Sequence, residues 1–240
     1  MKIINKDSVT STNDELKILA REGAKSMTAL FAKTQTAGRG RYGREWSSAP
    51  GNMHGSILLR GVPKEKAHEL VYVAALAMVE TVESFLFDQE VTLKWPNDVL
   101  VDGKKIGGIL LESEIKGDNL EFVVIGMGLN IGSNPKGLES IATSFADFET
   151  KADLSEVKQL LVEAFGEYLE TWIDTSEAGG FERIGNLWMQ YAAFVDDEIS
   201  VKLPEGEVRG TFRGMNAKGE MILEVGGVEK TYSSAELFKI

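Results

Sequence analysis

The chain has 240 residues, carries 26 Lys and Arg against 37 Asp and Glu for a formal net charge of −11, and contains no cysteine. That charge argues against nucleic acid as a partner, because non-specific binding there rests on a basic surface. The missing thiols exclude disulfides, thiolate metal sites and a cysteine nucleophile.

The length fits one or two domains around a sizeable core. No signal-peptide pattern opens the chain. The apolar run Val71 to Val79 is far short of the roughly 20 residues of a membrane span, so a cytoplasmic protein with no membrane partner is expected. Two histidines, His54 and His68, are too few for a histidine metal centre, and no protein metal site is expected.

Ser11-Thr-Asn-Asp-Glu15 precedes Leu16, Leu19 and Ala20, with Thr12 and Glu15 in capping-box register and Gly23 placed to end the helix. Spacing alone reads this as a capped surface helix. A helix N-terminus with spare hydroxyls and an amide is also a ready hydrogen-bonding site.

Thr28 to Thr34 reads as a strand and runs into Lys33-Thr-Gln-Thr-Ala-Gly-Arg-Gly-Arg-Tyr-Gly-Arg-Glu-Trp-Ser-Ser-Ala-Pro-Gly-Asn52. Lys33, Arg39, Arg41 and Arg44 fall within twelve residues without an intervening acid. A positive island in an acidic chain calls for a negative ligand. Gly38, Gly40 and Gly43 let backbone amides and guanidinium forks close around a phosphate or carboxylate. Gly38-x-Gly40-x-x-Gly43 also matches the dinucleotide fingerprint, but Glu-Trp-Ser-Ser-Ala-Pro-Gly follows it where a helix should open, so that match is rejected. A mobile basic surface loop is the plainer alternative.

His54 to Arg60 is predicted as a short strand, and as an edge strand that could pair across a two-fold. A helix is expected over Lys64 to Phe87, with Leu70, Val71, Ala74, Met78, Val82 and Phe85 as its apolar face. Asp102-Gly103 between two apolar runs signals a hairpin turn. Lys94 and Lys105 interrupt strands that should be buried, which points to a ligand or to solvated strand tips. Gly107-Gly108 marks close backbone approach or a bulge. Leu120 to Ile125 is another strand, entering a Gly-Met-Gly-Leu-Asn-Ile-Gly stretch whose small residues leave room or satisfy packing.

Asp153 to Thr175 is helical and amphipathic, with Asp153 and Glu156 in capping position. A second helix is expected over about Glu177 to Tyr191. Past Val195 come short alternating segments, Glu198 to Leu203, Glu207 to Met215, Glu220 to Val225 and Val228 to Tyr232, joined by Pro-Glu-Gly, Asn-Ala-Lys-Gly and Gly-Gly turns. These place a domain boundary near 195, dividing the chain into 1–194 and 195–240, and the small antiparallel unit is barrel-like.

Three stretches together resemble the biotin protein ligases: Ser11-Thr12-Asn13; Gly38-Arg-Gly-Arg-Tyr-Gly-Arg-Glu-Trp46 with its Gly51-Asn52 tail; and Lys94-Trp-Pro-Asn-Asp98 followed by Lys105-Ile-Gly-Gly108. The resemblance covers essentially the whole chain. It implies an α+β fold, a central mixed β-sheet flanked by helices of the class II synthetase-like ligase type, with a C-terminal SH3-like β-barrel. It also implies an ATP-dependent ligase that makes biotinyl-5′-adenylate and pyrophosphate, then transfers biotin to a lysine of a biotin carboxyl carrier protein. Repressor-type members carry an N-terminal DNA-binding domain. Here the Ser-Thr-Asn motif begins at residue 11, so a monofunctional ligase with no DNA partner is expected.

Carried over residue by residue, the resemblance places Ser11, Thr12, Asn13, Gln35, Gly38, Arg39, Gly40, Arg41, Lys105 and Gly108 around biotin. It places Arg39, Arg41, Arg44, Trp46, Lys94, Asn97, Lys105 and Asn130 around ATP, with Lys105, Arg39 and Arg41 as the catalytic set. Two anions, a carboxylate and a triphosphate, must be brought together, so the main task is charge screening and alignment. Mg²⁺ would be held mainly by phosphates. A lipoate or octanoate ligase or transferase and a non-catalytic biotin or nucleotide sensor are the competing readings. Monomer and homodimer both stay open.

Overall fold

A computed structural model describes residues 1–135, 138, 141–150, 152–176, 179–203 and 206–239. Strand β1 (Lys2–Val9) is followed by helix α1 (Thr12–Arg21), strand β2 (Thr28–Gln35), strand β3 (Met53–Leu59) and helix α2 (Leu70–Glu83). Strands β4 (Val91–Lys94), β5 (Asp98–Val101), β6 (Lys104–Lys116) and β7 (Asn119–Leu129) come next, then helices α3 (Leu154–Ile173) and α4 (Gly180–Gln190). The chain closes with β8 (Glu198–Leu203), β9 (Gly206–Met215), β10 (Met221–Val225), β11 (Val228–Tyr232) and β12 (Glu236–Lys239).

The first seven strands form one sheet in the order β1-β2-β3-β7-β6-β5-β4, mixed because β1 runs parallel to β2 while the other neighbours are antiparallel. Asp102 (φ 49°) and Gly103 (φ 75°) turn β5 into β6, as the Asp-Gly signal predicts. β3 is no edge strand. It bonds β2 on one side and β7 on the other, so residues 54–60 have no free ladder to offer a second copy, and the edges are β1 and β4.

The two sheet faces are covered unequally. On one, Leu16 and Ala20 of α1 bury against Leu30, Leu58, Phe122 and Val124. On the other lies the large core of α2, α3 and α4. Helix α2 is buried on nearly every side, as a helix apolar all round should be. It is shorter than the sequence suggests: Lys64–Glu69 winds as a 3-10 turn, and the helix stops at Ser84, leaving Phe87 exposed. Asp153 caps α3 by accepting from the Ser155 amide at 2.8 Å. The expected start of α4 at 177–178 and the Pro-Glu part of the 204–206 turn lie outside the described residues.

Strands β8 to β12 form a separate antiparallel sheet in the order β11-β10-β9-β8-β12. Among the described residues no pairing joins β11 to β12, so this sheet is open where a closed barrel was expected. Its inner residues Ile199, Val201, Phe212, Met221, Leu223 and Leu237 belong to the same buried cluster as α2 and α3. Tyr72 ties the parts together. Its hydroxyl donates to the Gly219 carbonyl at 2.5 Å and accepts from Trp95 Nε1 at 3.0 Å. Burial raises the phenol pKa. Tyr72→Phe leaves the Gly219 carbonyl with Trp95 alone, and urea denaturation is expected to show a loss of about 1–3 kcal/mol.

Candidate active site

On the face that carries α1, the strands beyond the helix floor a cleft of about 980 Å³, counting the part open to solvent. The ladder registers align a row across four strand intervals: His54 opposite Gly128, Gly128 opposite Gly108, Gly108 opposite Asp98, and Asp98 opposite Lys94. Directly opposed residues point to the same face, so the two glycines leave a trough between end walls of polar side chains. A Cβ at Gly128 would stand 2.6 Å from the Trp46 indole, and one at Gly126 would stand 2.5 Å from Asn13 Oδ1. At Gly108 the neighbours would be Lys105 Nζ and Trp46, each at 3.2 Å. These glycines are spaces that the wall side chains fill.

One wall comes from the start of α1. Ser11, Thr12 and Asn13 are all buried. The expected capping box does not form: Ser11 is the N-cap without a side-chain capping bond, Thr12 is the first helical residue, and Glu15 pairs with Lys6. The polar groups turn to the cavity instead. Thr12 donates to Gln35 Oε1 through its amide at 2.8 Å and its hydroxyl at 3.2 Å. The Ser56 hydroxyl lies 2.8 Å from Thr12 Oγ1 and 2.6 Å from Asn13 Oδ1, while Asn13 Nδ2 donates to Glu112 at 2.8 Å.

The basic loop forms the roof, and Trp46 reaches under it. Asn52 anchors the end of the loop by accepting from the amides of Ile131, Gly132 and Ser133. Arg39 makes a two-pronged bond to Asp14, both contacts at 2.7 Å, and donates to both Glu112 oxygens at 2.9 and 2.8 Å. The Arg39 bond holds the Asp14 carboxyl at about 2, against the opposing effect of burial. At Glu112 burial pushes the pKa up, but the Arg39 and Asn13 bonds outweigh it and the net shift is downward.

Arg41 bridges to the C-terminal sheet. It donates to Asn97 Oδ1 at 3.3 Å, the Ala235 carbonyl at 3.4 Å and Ser234 Oγ at 3.0 Å, and the Tyr42 hydroxyl lies 2.9 Å from the same serine. Ala235, Leu237 and Phe238 thereby become part of the cavity wall. At the far end of the trough, Lys105 Nζ donates to Asp98 at 2.5 Å, with Lys94 Nζ 3.8 Å from the other Asp98 oxygen. Arg39, Arg41, Arg44, Lys94 and Lys105 all line this space, against the carboxylates of Glu45 and Asp98.

Most of the residues singled out from the sequence thus meet in one cavity; Gly38 and Asn130 do not line it. Gly38 packs inside the loop, where a Cβ would stand 2.7 Å from the Trp46 carbonyl. Asn130 is buried, with Nδ2 donating to the Thr143 carbonyl at 3.1 Å. Lys33 pairs with Asp7 at 2.7 Å on an exposed surface. Sequence reasoning missed Asp14, Glu112, His54 and the 235–238 wall. Asp98 stood in plain view inside Lys-Trp-Pro-Asn-Asp, and its place between two lysines was the available signal.

The sequence model of the Biotin/lipoate A/B protein ligase family matches residues 6–130. The chain belongs to this family. The matched span supplies the floor, the α1 wall and the roof, and leaves out only the C-terminal wall. Among relatives, the Biotin--[acetyl-CoA-carboxylase] ligase of Paracoccus denitrificans is 34% identical over 95% of this chain and 96% of its own length. The Bifunctional ligase/repressor BirA of Bacillus subtilis is 33% identical over 97% of this chain and 72% of its own. Among solved structures, the biotin protein ligase from Aquifex aeolicus in complex with biotin and ATP is similar with a TM-score of 0.85 at 27% identity, covering 100% of this chain and 99% of that one. That match agrees with the mixed sheet flanked by helices seen here.

The Arg39–Asp14 contact has a pH signature. The Asp14 pKa falls from 3.8 to about 2 on folding, so the unfolded chain takes up the proton first and the stabilisation is lost as pH drops through that window. In urea denaturation, the stability difference between wild type and Asp14→Asn is expected to be constant around neutrality and to shrink from about pH 3.8 towards pH 2.

Proposed function

We propose that this chain is a biotin–protein ligase acting in two steps. A biotin carboxylate oxygen attacks the α-phosphorus of ATP, the bond to pyrophosphate breaks, and biotinyl-5′-adenylate forms. A lysine amine of the acceptor then attacks the acyl carbon, the bond to phosphate breaks, and AMP leaves. One observation carries this reading: the loop cations and the Lys94–Lys105 pair line the same cavity as the polar group of Ser11, Thr12, Asn13 and Gln35. A carboxylate and a triphosphate repel each other, and cations fixed on two sides of the meeting point offset that repulsion.

In this scheme Ser11, Thr12, Asn13 and Gln35 present donors and acceptors to the ureido ring. Lys105, oriented by Asp98, meets the carboxylate and later the adenylate phosphate. Arg41, Arg44 and Lys94 face the phosphates, Asn97 holds Arg41, and Trp46 covers the bound molecule above Gly108. Arg39 has its charge balanced by Asp14 and Glu112, so we assign it the task of holding the loop and Gly40 over biotin. Mg²⁺ arrives with ATP, held by phosphates. We read residues 195–240 as an SH3-like unit left open between β11 and β12, which braces Arg41 through Ser234 and Ala235. The acceptor we propose is a biotin carboxyl carrier protein, in keeping with the name of the Paracoccus denitrificans relative.

A lipoate or octanoate ligase would need fewer polar partners at the ring end, and a sensor of biotin alone would need no phosphate clamps. Biotin-dependent exchange of labelled pyrophosphate into ATP separates these readings. Exchange with biotin and not with lipoate is expected, and the reverse pattern overturns the assignment. Lys105→Ala is expected to lower that exchange by about 10²–10³-fold with an unchanged melting temperature, as for loss of a single charge-stabilising donor. Amide hydrogen exchange over residues 36–48 is expected to slow when biotin is added, because the glycine-rich roof closes on its ligand.

A further inference from the structure

His54 lies in β3 on the floor of the cavity, 1% exposed, and neither ring nitrogen makes a hydrogen bond of good geometry, although the Ala49 carbonyl acts on the ring. An apolar residue would fill this space without leaving a buried ring nitrogen short of a partner, so the group calls for an explanation. Its direction is fixed by pairing. His54 opposes Gly128, whose missing Cβ faces Trp46, and it shares a strand face with Ser56, which contacts Thr12 and Asn13. Trp46 Nε1, on the other side of Gly128, is a buried donor without a partner. Two buried polar groups with hydrogen-bonding capacity to spare therefore flank the same side-chain-free position.

Burial lowers the imidazole pKa to about 4, with the Ala49 carbonyl opposing and the Lys158 ammonium reinforcing the shift. At neutral pH the ring is uncharged and offers one N–H donor and one acceptor nitrogen. It stands at the opposite end of the cross-strand row from Lys94. Four intervals at a neighbouring-strand spacing of about 4.8 Å separate them by roughly 19 Å. His54 is thus remote from the phosphate-facing lysines and close to the ring-binding wall.

We propose that His54 is a specificity-determining contact for the acyl substrate, its imidazole hydrogen-bonding the heteroatom-bearing ring of the bound acid at the end of the trough away from the reacting carboxylate. This rests on the reading that biotin is that acid. An alkyl-chain acid would have nothing to give the imidazole, so the same residue selects against it.

The test uses the full chain and its two histidines. With 15N-labelled histidine, saturating biotin is expected to shift the His54 ring nitrogens and leave those of His68, whose Nε2 sits 2.9 Å from the Lys218 carbonyl on the surface, unmoved. In pyrophosphate exchange, His54→Phe is expected to raise KM for biotin about tenfold while kcat and KM for ATP stay near wild type. His54→Gln, which keeps a donor and an acceptor, is expected to recover part of the loss. Unshifted His54 nitrogens in a wild-type protein that exchanges pyrophosphate with biotin would overturn the proposal, whether or not the variants fold. Wild-type protein with no biotin-dependent exchange would overturn the functional reading beneath it.

Discussion

Glycine weakens the strand that carries it, by about 0.5–1 kcal/mol relative to alanine, yet β6 and β7 hold Gly107, Gly108, Gly126 and Gly128 in the middle of the large sheet. Both strands are long and paired on each side, so the ladder tolerates the loss. What the glycines give is depth. Gly126, Gly128 and Gly108 leave the space into which Asn13, Trp46 and Lys105 project. Gly107 faces the opposite way, where a Cβ would meet Met78 and Leu129. A side chain on the cavity face would move those groups and fill the trough. The other elements of the site are arranged around this absence.

Charge is handled by local pairing. The protein is strongly acidic, and the cavity draws together cations from the roof loop and from β4 and the start of β6. Left unbalanced, such a cluster would repel itself. Asp14 and Glu112 balance Arg39 at the α1 end, and Asp98 stands between Lys94 and Lys105 at the other. The carboxylates also fix where each cation points, which bulk composition could never show.

Legibility followed the physics of each segment. The Asp102-Gly103 turn, β8 and β11 were readable because turn chemistry and alternation are local. β1 was not: Lys-Ile-Ile-Asn-Lys-Asp-Ser-Val is a parallel edge strand, largely exposed, so it has no buried face to impose a pattern. β12 is as short as four residues and was lost among turn signals. Residues 54–60 read correctly as a strand, but whether a strand lies at an edge is decided by a partner far along the chain, here β7. The motifs located the cavity because their residues are close in sequence. Arg39–Asp14, Arg41–Ala235 and the buried His54 depend on separations of many residues or on unused hydrogen-bonding capacity, and neither leaves a trace in spacing.

The bond from Arg41 to Ser234 and Ala235 ties the roof loop to a segment almost two hundred positions later in the chain. During synthesis, the floor and the α1 wall are available to a nascent polypeptide long before that segment emerges. The roof therefore waits, unbraced, until the C-terminal sheet is made.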